Sequence, residues 1–84
     1  MKQEDFLSHL KISKILKQAV DFLRQRGIEN PQLDARVLLE FVLNYSTEQL
    51  LRRLESELTS SQLEQYRALL ERRGNREPVA LITE

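Results

Sequence analysis

The sequence has no cysteine and no tryptophan, only two glycines and two prolines, and a single histidine. Without cysteine there is no disulfide scaffold, no thiolate zinc site and no cysteine nucleophile. The glycines, Gly27 and Gly74, stand alone, so no glycine-rich loop cradles a phosphate. Net charge is missing too. Thirteen Lys and Arg balance thirteen Asp and Glu, which removes the basic footprint of a dedicated nucleic-acid binder. No apolar run approaches the ~18 residues of a membrane span. The opening MKQEDFLSHL is acidic early and lacks the apolar centre of a secretion signal. At 84 residues the chain is one small domain, too short for a doubly wound nucleotide-binding sheet. A soluble helical domain of the cytoplasmic kind is what these exclusions leave.

What is present favours helix. Leu, Glu, Gln, Arg, Lys and Ala dominate, all good helix formers, and no stretch alternates with period two. The expected fold is all-α, a small bundle of four to five helices. Ile12, Ile15, Leu16, Ala19, Val20 and Leu23 mark one face of a helix over about 13–26, closed by Gly27 with Arg24 and Arg26 at its negative end. Phe6, Leu7 and Leu10 fall on the opposite side of that helix projected backwards, so residues 1–10 read as a separate short helix or a tail. Asn30-Pro31 starts a second helix, as N-cap and first-turn proline, running to about Leu43. Leu33, Val37, Leu38, Leu39, Phe41, Val42 and Leu43 cover most of its circumference, which predicts a central, buried helix. Ser46 and Gln49 form a capping-box pattern for a third helix, with Leu50, Leu51, Leu54 and Leu58 as its inward stripe. Thr59 to Gln62 opens a fourth, to about Arg73, with Leu63, Tyr66, Leu69 and Leu70 inward and Gly74-Asn75 as the stop. Residues 77–82 make one last helical turn, with Pro78 near its start.

Two charges sit on apolar faces. Asp34 projects between Phe41 and Leu38, and Arg73 between Tyr66 and Leu69. A lone buried charge is too costly to keep unpaired. Either the two meet across the bundle, with Arg73 also bonding nearby carbonyls, or Asp34 serves only the dipole of its own first turn and Arg73 reaches solvent.

Catalytic patterns do not emerge, so no catalytic, cofactor-binding or metal-ligating residue is assigned. His9 has no second histidine with which to complete a metal site and reads as an exposed polar residue. The serines sit near helix starts without a Gly-x-Ser-x-Gly elbow. Arg52, Arg53, Arg67, Arg72, Arg73 and Arg76 fall in the second half, interleaved with seven glutamates over 43–84, as on a mixed solvated surface. Lys11, Lys14 and Lys17 read as the wet face of the first helix rather than a membrane-binding stripe.

The stretch NPQLDARVLLE at 30–40 resembles the P-x-x-D-A-x-x-L-L segment of the HemK/PrmC family, protein-(glutamine-N5) methyltransferases acting on peptide-chain release factors. The ending ERRGNREPVALIT at 71–83 resembles that family's RR…EP-x-A-x-I-x-G segment. Both occur in the right order and at suitable spacing, and the likeness covers about residues 12–84. Glu84 stands where the family usually has glycine.

The resemblance implies that residues 11–84 are an N-terminal helical substrate-recognition domain, with the catalytic domain absent from this chain. The parent enzyme would methylate the glutamine of a release factor's Gly-Gly-Gln loop using S-adenosylmethionine bound by that other domain. The 84 residues themselves would hold no cofactor and have no activity. The expected partners are a class I peptide-chain release factor and the chain's own catalytic domain, with neither membrane nor nucleic acid. Arg52, Arg53 and Arg67 are the candidate contacts to the substrate protein. Asp34, Arg73, Glu77 and Pro78 match the family motifs and read as structural or interdomain. The alternatives are a free-standing helical module that binds a partner helix and a helix-turn-helix DNA binder. The apolar character of residues 31–43 and the charge balance oppose the second.

Overall fold

The computed structural model describes residues 10–84. Its helices are α1 (Ile12–Gln25), α2 (Pro31–Leu43), α3 (Thr47–Leu51), α4 (Ser60–Gly74) and α5 (Val79–Ile82). The all-α bundle is therefore as expected. Of the N-terminal stretch 1–10 only Leu10 is described; the reading of that segment and of His9 lies outside the described residues.

Helix α2 packs against both α1 and α4. The core gathers Ile12, Ile15, Ala19 and Leu23 of α1, Ala35, Leu38 and Leu39 of α2, Leu50 of α3, and Leu63 and Tyr66 of α4. Tyr66 is fully buried, and its hydroxyl donates to the Ala35 carbonyl at 2.7 Å. That bond joins α4 to the middle of α2 and satisfies a phenol that would otherwise be costly to bury. Helix α2 is central but not buried all round. Leu33 and Phe41 are 48% and 46% exposed, because α1 and α4 leave one side of α2 uncovered. Its buried face is instead Asp34, Ala35, Leu38 and Leu39.

The capping box expected at Ser46 forms, and a second forms at Thr59. The Ser46 and Thr59 hydroxyls accept from the backbone N–H of Gln49 and Gln62, whose side chains reach back to the capping residues' own N–H groups. Pro31 takes the first-turn position, but the Asn30 side chain makes no cap bond. Its backbone carbonyl alone begins the helix, accepting from Asp34 N–H at 3.0 Å.

Leu50 and Leu58 are buried and Leu54 packs against the core, as expected, but helix α3 is shorter than that stripe and Leu51 does not share its burial. The helix stops at Leu51, which is 58% exposed. Residues 52–56 form turns, and Glu57 makes an antiparallel bridge with Lys11. The reason lies at the start of α1. Its N-cap is Lys11, whose side chain cannot accept a hydrogen bond. The first N–H groups are satisfied from afar: Ile12 donates to the Ser56 carbonyl at 2.8 Å and Ser13 to that of Leu54 at 3.0 Å. A continuous helix would keep those carbonyls for itself.

The C-terminal ends of α1 and α4 close alike. After α1, Ile28 N–H bonds the Leu23 carbonyl and Gly27 N–H that of Arg24, with Gly27 left-handed at φ +75°. This is a Schellman closure with the customary glycine. After α4, Glu77 N–H bonds the Arg72 carbonyl and Arg76 N–H that of Arg73. Here the left-handed residue is Arg76, at φ +71°, and not Gly74 or Asn75. Gly74 is needed for space. It is the last, buried residue of α4, and an added Cβ would lie 3.0 Å from the Phe22 ring.

Candidate functional site

The two wrong-face charges meet. Arg73 Nε donates to Asp34 Oδ2 at 2.8 Å, with side chains 22% and 11% exposed. Periodicity puts both on inward arcs, and the packing of α2 against α4 brings them together. Asp34 also lies in the first turn of α2, where a carboxylate suits the helix dipole. Arg73 uses a second nitrogen on the chain beyond α4: Nη1 donates to the Glu77 carbonyl at 2.9 Å.

Glu77 is held by its side chain as well. Arg72 Nε and Nη2 both donate to Glu77 Oε1, at 3.0 and 2.8 Å, and this carboxylate raises the Arg72 pKa above its ordinary value. Pro78 is the N-cap of α5. Its carbonyl accepts from Leu81 and Ile82 N–H, and Ile82 returns to the core. Arg76 Nη2 reaches across to the Arg26 carbonyl at the end of α1, at 2.9 Å. Arg26 in turn lies over the Phe22 ring, 4.6 Å from its centroid, and 3.6 Å from Glu71. The result is a clasp. Asp34, Arg72, Arg73, Arg76, Glu77 and Pro78 lock the segment after α4 onto α1 and α2.

Sequence reading singled out Asp34, Arg73, Glu77 and Pro78 but missed the parts played by Arg72 and Arg76. The Arg72-to-Glu77 spacing offers a five-residue signal for one of them. Nothing local marks Arg76, whose bond depends on the end of α1 being near.

The three arginines proposed to touch a partner stand apart from the clasp and do not share one place. Arg52 and Arg53 lie in the turn after α3. Arg52 is 3.8 Å from Glu48, and Arg53 sits over the Tyr45 ring at 5.2 Å. Arg67 is on α4, at the rim of an apolar groove between α1 and α4 to which neither of the others contributes. All three are exposed. Among the described residues no group of three or more His, Cys, Asp or Glu side chains could hold a metal ion. Nor is any helix among them long and apolar enough to cross a membrane.

These arrangements brace the segment after α4 against α1 and α2. Both glycines are taken up in the fold, Gly27 by its left-handed turn and Gly74 by the Phe22 contact.

Comparison with known proteins places the chain in a family. The sequence model of the PrmC N-terminal domain matches residues 14–83. A bifunctional methyltransferase of Rickettsia typhi is 44% identical over 72 residues, covering 86% of this chain and 14% of the relative. Release factor glutamine methyltransferases of Bifidobacterium longum and Aliivibrio fischeri are each 40% identical, over 75 and 73 residues, covering 86% and 87% of this chain and 26% of each relative. The chain thus spans between a seventh and about a quarter of the length of these relatives. No solved structure matches significantly. With the family match extending over nearly all of the described helices, the chain belongs to the PrmC N-terminal domain family.

Proposed function

We propose that this domain is the substrate-binding part of a release-factor glutamine methyltransferase. The supporting observation is its similarity, along most of its length, to proteins named for that activity. In the parent, a methyl group would pass from S-adenosylmethionine to the side-chain amide nitrogen of the glutamine in a release factor's Gly-Gly-Gln loop. The cofactor would be held outside these 84 residues. The helical domain would grip the release factor away from the reacting atoms, and remote binding energy of this kind positions a reacting group.

On this reading Arg52, Arg53 and Arg67 are the contacts to the release factor. The clasp fixes how a following catalytic domain sits relative to the bundle. The test is an NMR titration of the labelled domain with a class I release factor, repeated with Arg52→Glu, Arg53→Glu and Arg67→Glu. Saturable shifts near the arginines, weakened by charge reversal, are expected. Absence of binding by both the domain and a full-length enzyme would remove the recognition role.

The half-exposed Leu33, Phe41, Leu51 and Leu81 favour a second reading, a free-standing module that takes a partner helix. A catalytic domain resting on these side chains would account for them equally. Comparing their solvent protection in the isolated domain and in the full-length enzyme separates the two.

A further inference from the structure

The clasp secures the chain as far as Glu77. The N–H and carboxylate of that residue are bonded to Arg72, and its carbonyl to Arg73. Beyond it the bonding changes. Pro78 is extended (φ −62°, ψ 140°) and has no N–H to return to α4. From there to Thr83, the hydrogen bonds among the described residues close within the segment. Leu81 and Ile82 N–H donate to the Pro78 carbonyl, and the Thr83 N–H and hydroxyl donate to that of Val79.

Apolar contact is therefore what seats this segment on the bundle. Ile82 is buried and Val79 partly so, while Leu81 is half exposed. Helix α3 is also short but is tied differently. Leu50 is fully buried, Arg36 Nη1 donates to Thr47 Oγ1 at 2.7 Å, and the Leu54 and Ser56 carbonyls beyond it accept from α1. Burying one isoleucine side chain favours the docked state of 78–83 by a factor of about 10 to 150, and the entropy of ordering the segment works against it. Undocking breaks no hydrogen bond to the bundle, so it adds no penalty for stranded polar groups there.

We infer that residues 78–83 form a strap that undocks and redocks as one piece, hinged after Glu77, while α1 to α4 stay folded. About 1–10% of molecules hold it open. The open state withdraws Ile82 and exposes its apolar seat. On the methyltransferase reading the strap is the link through which a following domain changes its bearing on the bundle. That consequence rests on the reading; the undocking does not.

The test is amide hydrogen exchange, followed by NMR on the 84-residue chain at a series of low urea concentrations. Leu81, Ile82 and Thr83 should share a protection of about ten- to a hundredfold that depends little on urea, because undocking exposes little surface. The Leu38, Leu39 and Tyr66 amides should be protected at least about a hundredfold more, with a steep dependence. Ile82→Ala should abolish the protection of Leu81 and Thr83 and leave those core amides protected. Strap amides that match the core in rate and urea dependence would overturn the proposal, since the segment would then open only with the whole bundle. Protection that declines stepwise from Leu81 to Thr83 would overturn it too, because residues that fray one by one are not a strap. Both results are read on the native chain, so they hold even where the variant does not fold. Neither touches release-factor binding, which the titration measures separately.

Discussion

The two ends of the bundle solve the same problem in opposite ways. Where α1 and α4 finish, side chains add to the backbone closures and tie the ends to their neighbours. Arg76 bonds the Arg26 carbonyl, Arg73 bonds Asp34 and the Glu77 carbonyl, and Arg72 holds the Glu77 carboxylate. Where α1 begins, backbone does the work. The Ser56 and Leu54 carbonyls accept its first N–H groups. The charged side chains nearby are left on the surface: Lys11 pairs with Glu55 in the open, and Arg52 and Arg53 face solvent. Arginines at the clasp end are held by hydrogen bonds within the fold, whereas Arg52 and Arg53 at the turn end make only exposed contacts, with Glu48 and the Tyr45 ring.

The sharpest way to break this contrast is at the clasp. Asp34→Ala leaves the Arg73 guanidinium largely enclosed without its carboxylate. Loss of one partner from a buried pair costs about 3 kcal/mol or more, so a urea titration should show a loss of roughly 2–4 kcal/mol, the lower figure reflecting the partial exposure of Arg73. The Asp34→Leu, Arg73→Met double variant should recover much of that loss, because no uncompensated charge remains. A double variant as unstable as the single one would mean that the pair is not the relevant unit.

Next in size is the bond that ties α4 to α2. Tyr66→Phe removes the hydroxyl donated to Ala35 and should cost about 1–2 kcal/mol. It also carries a pH signature. Burial pushes the Tyr66 phenol pKa up, while the unfolded phenol titrates near about 10. Above that pH the unfolded chain holds fewer protons than the folded one, so stability falls as pH rises. Denaturant midpoints of the native protein should decline above about pH 10, and the Phe variant should decline less steeply.

Much of this was legible in the sequence. Helices α1, α2 and α4, the Ser46 capping box and the turn at Gly27 follow from apolar spacing and local capping chemistry. The Asp34–Arg73 pair was legible for the same reason, because a charge on an apolar arc stands out against the period. Other features depend on distant partners. Leu54 and Leu58 continue a helical pattern that the N-terminus of α1 overrides. Asn30 has the side chain of a cap but does not use it. The exposure of Leu33 and Phe41 depends on where neighbouring helices end rather than on the periodicity of α2. Arg76 has no local sign, because the partner of its side chain, the Arg26 carbonyl, belongs to another helix.

That last residue separates strain from bonding. A non-glycine residue in the left-handed region costs about 1 kcal/mol, which the bond to Arg26 offsets. Arg76→Ala keeps the strain and loses the bond, and should destabilise by about 1 kcal/mol. Arg76→Gly loses the bond and relieves the strain, so it should lie closer to the native protein. Thermal melts that rank glycine below alanine would show that the turn is not under strain.

The smallest stability effect belongs to the other end. Arg52→Ala gives up an exposed, long ion pair, and Arg53→Ala an exposed contact with Tyr45. Pairs of this kind contribute about 0–1 kcal/mol, and surface changes away from special features fall within about ±0.5 kcal/mol. Each variant should melt within two or three degrees of the native protein, and adding salt should alter that difference little. A cost approaching that of Asp34→Ala would show that the turn end also uses its side chains for folding. Near-neutral melts would leave these guanidinium groups uncommitted to the fold, as a surface contact to a partner requires.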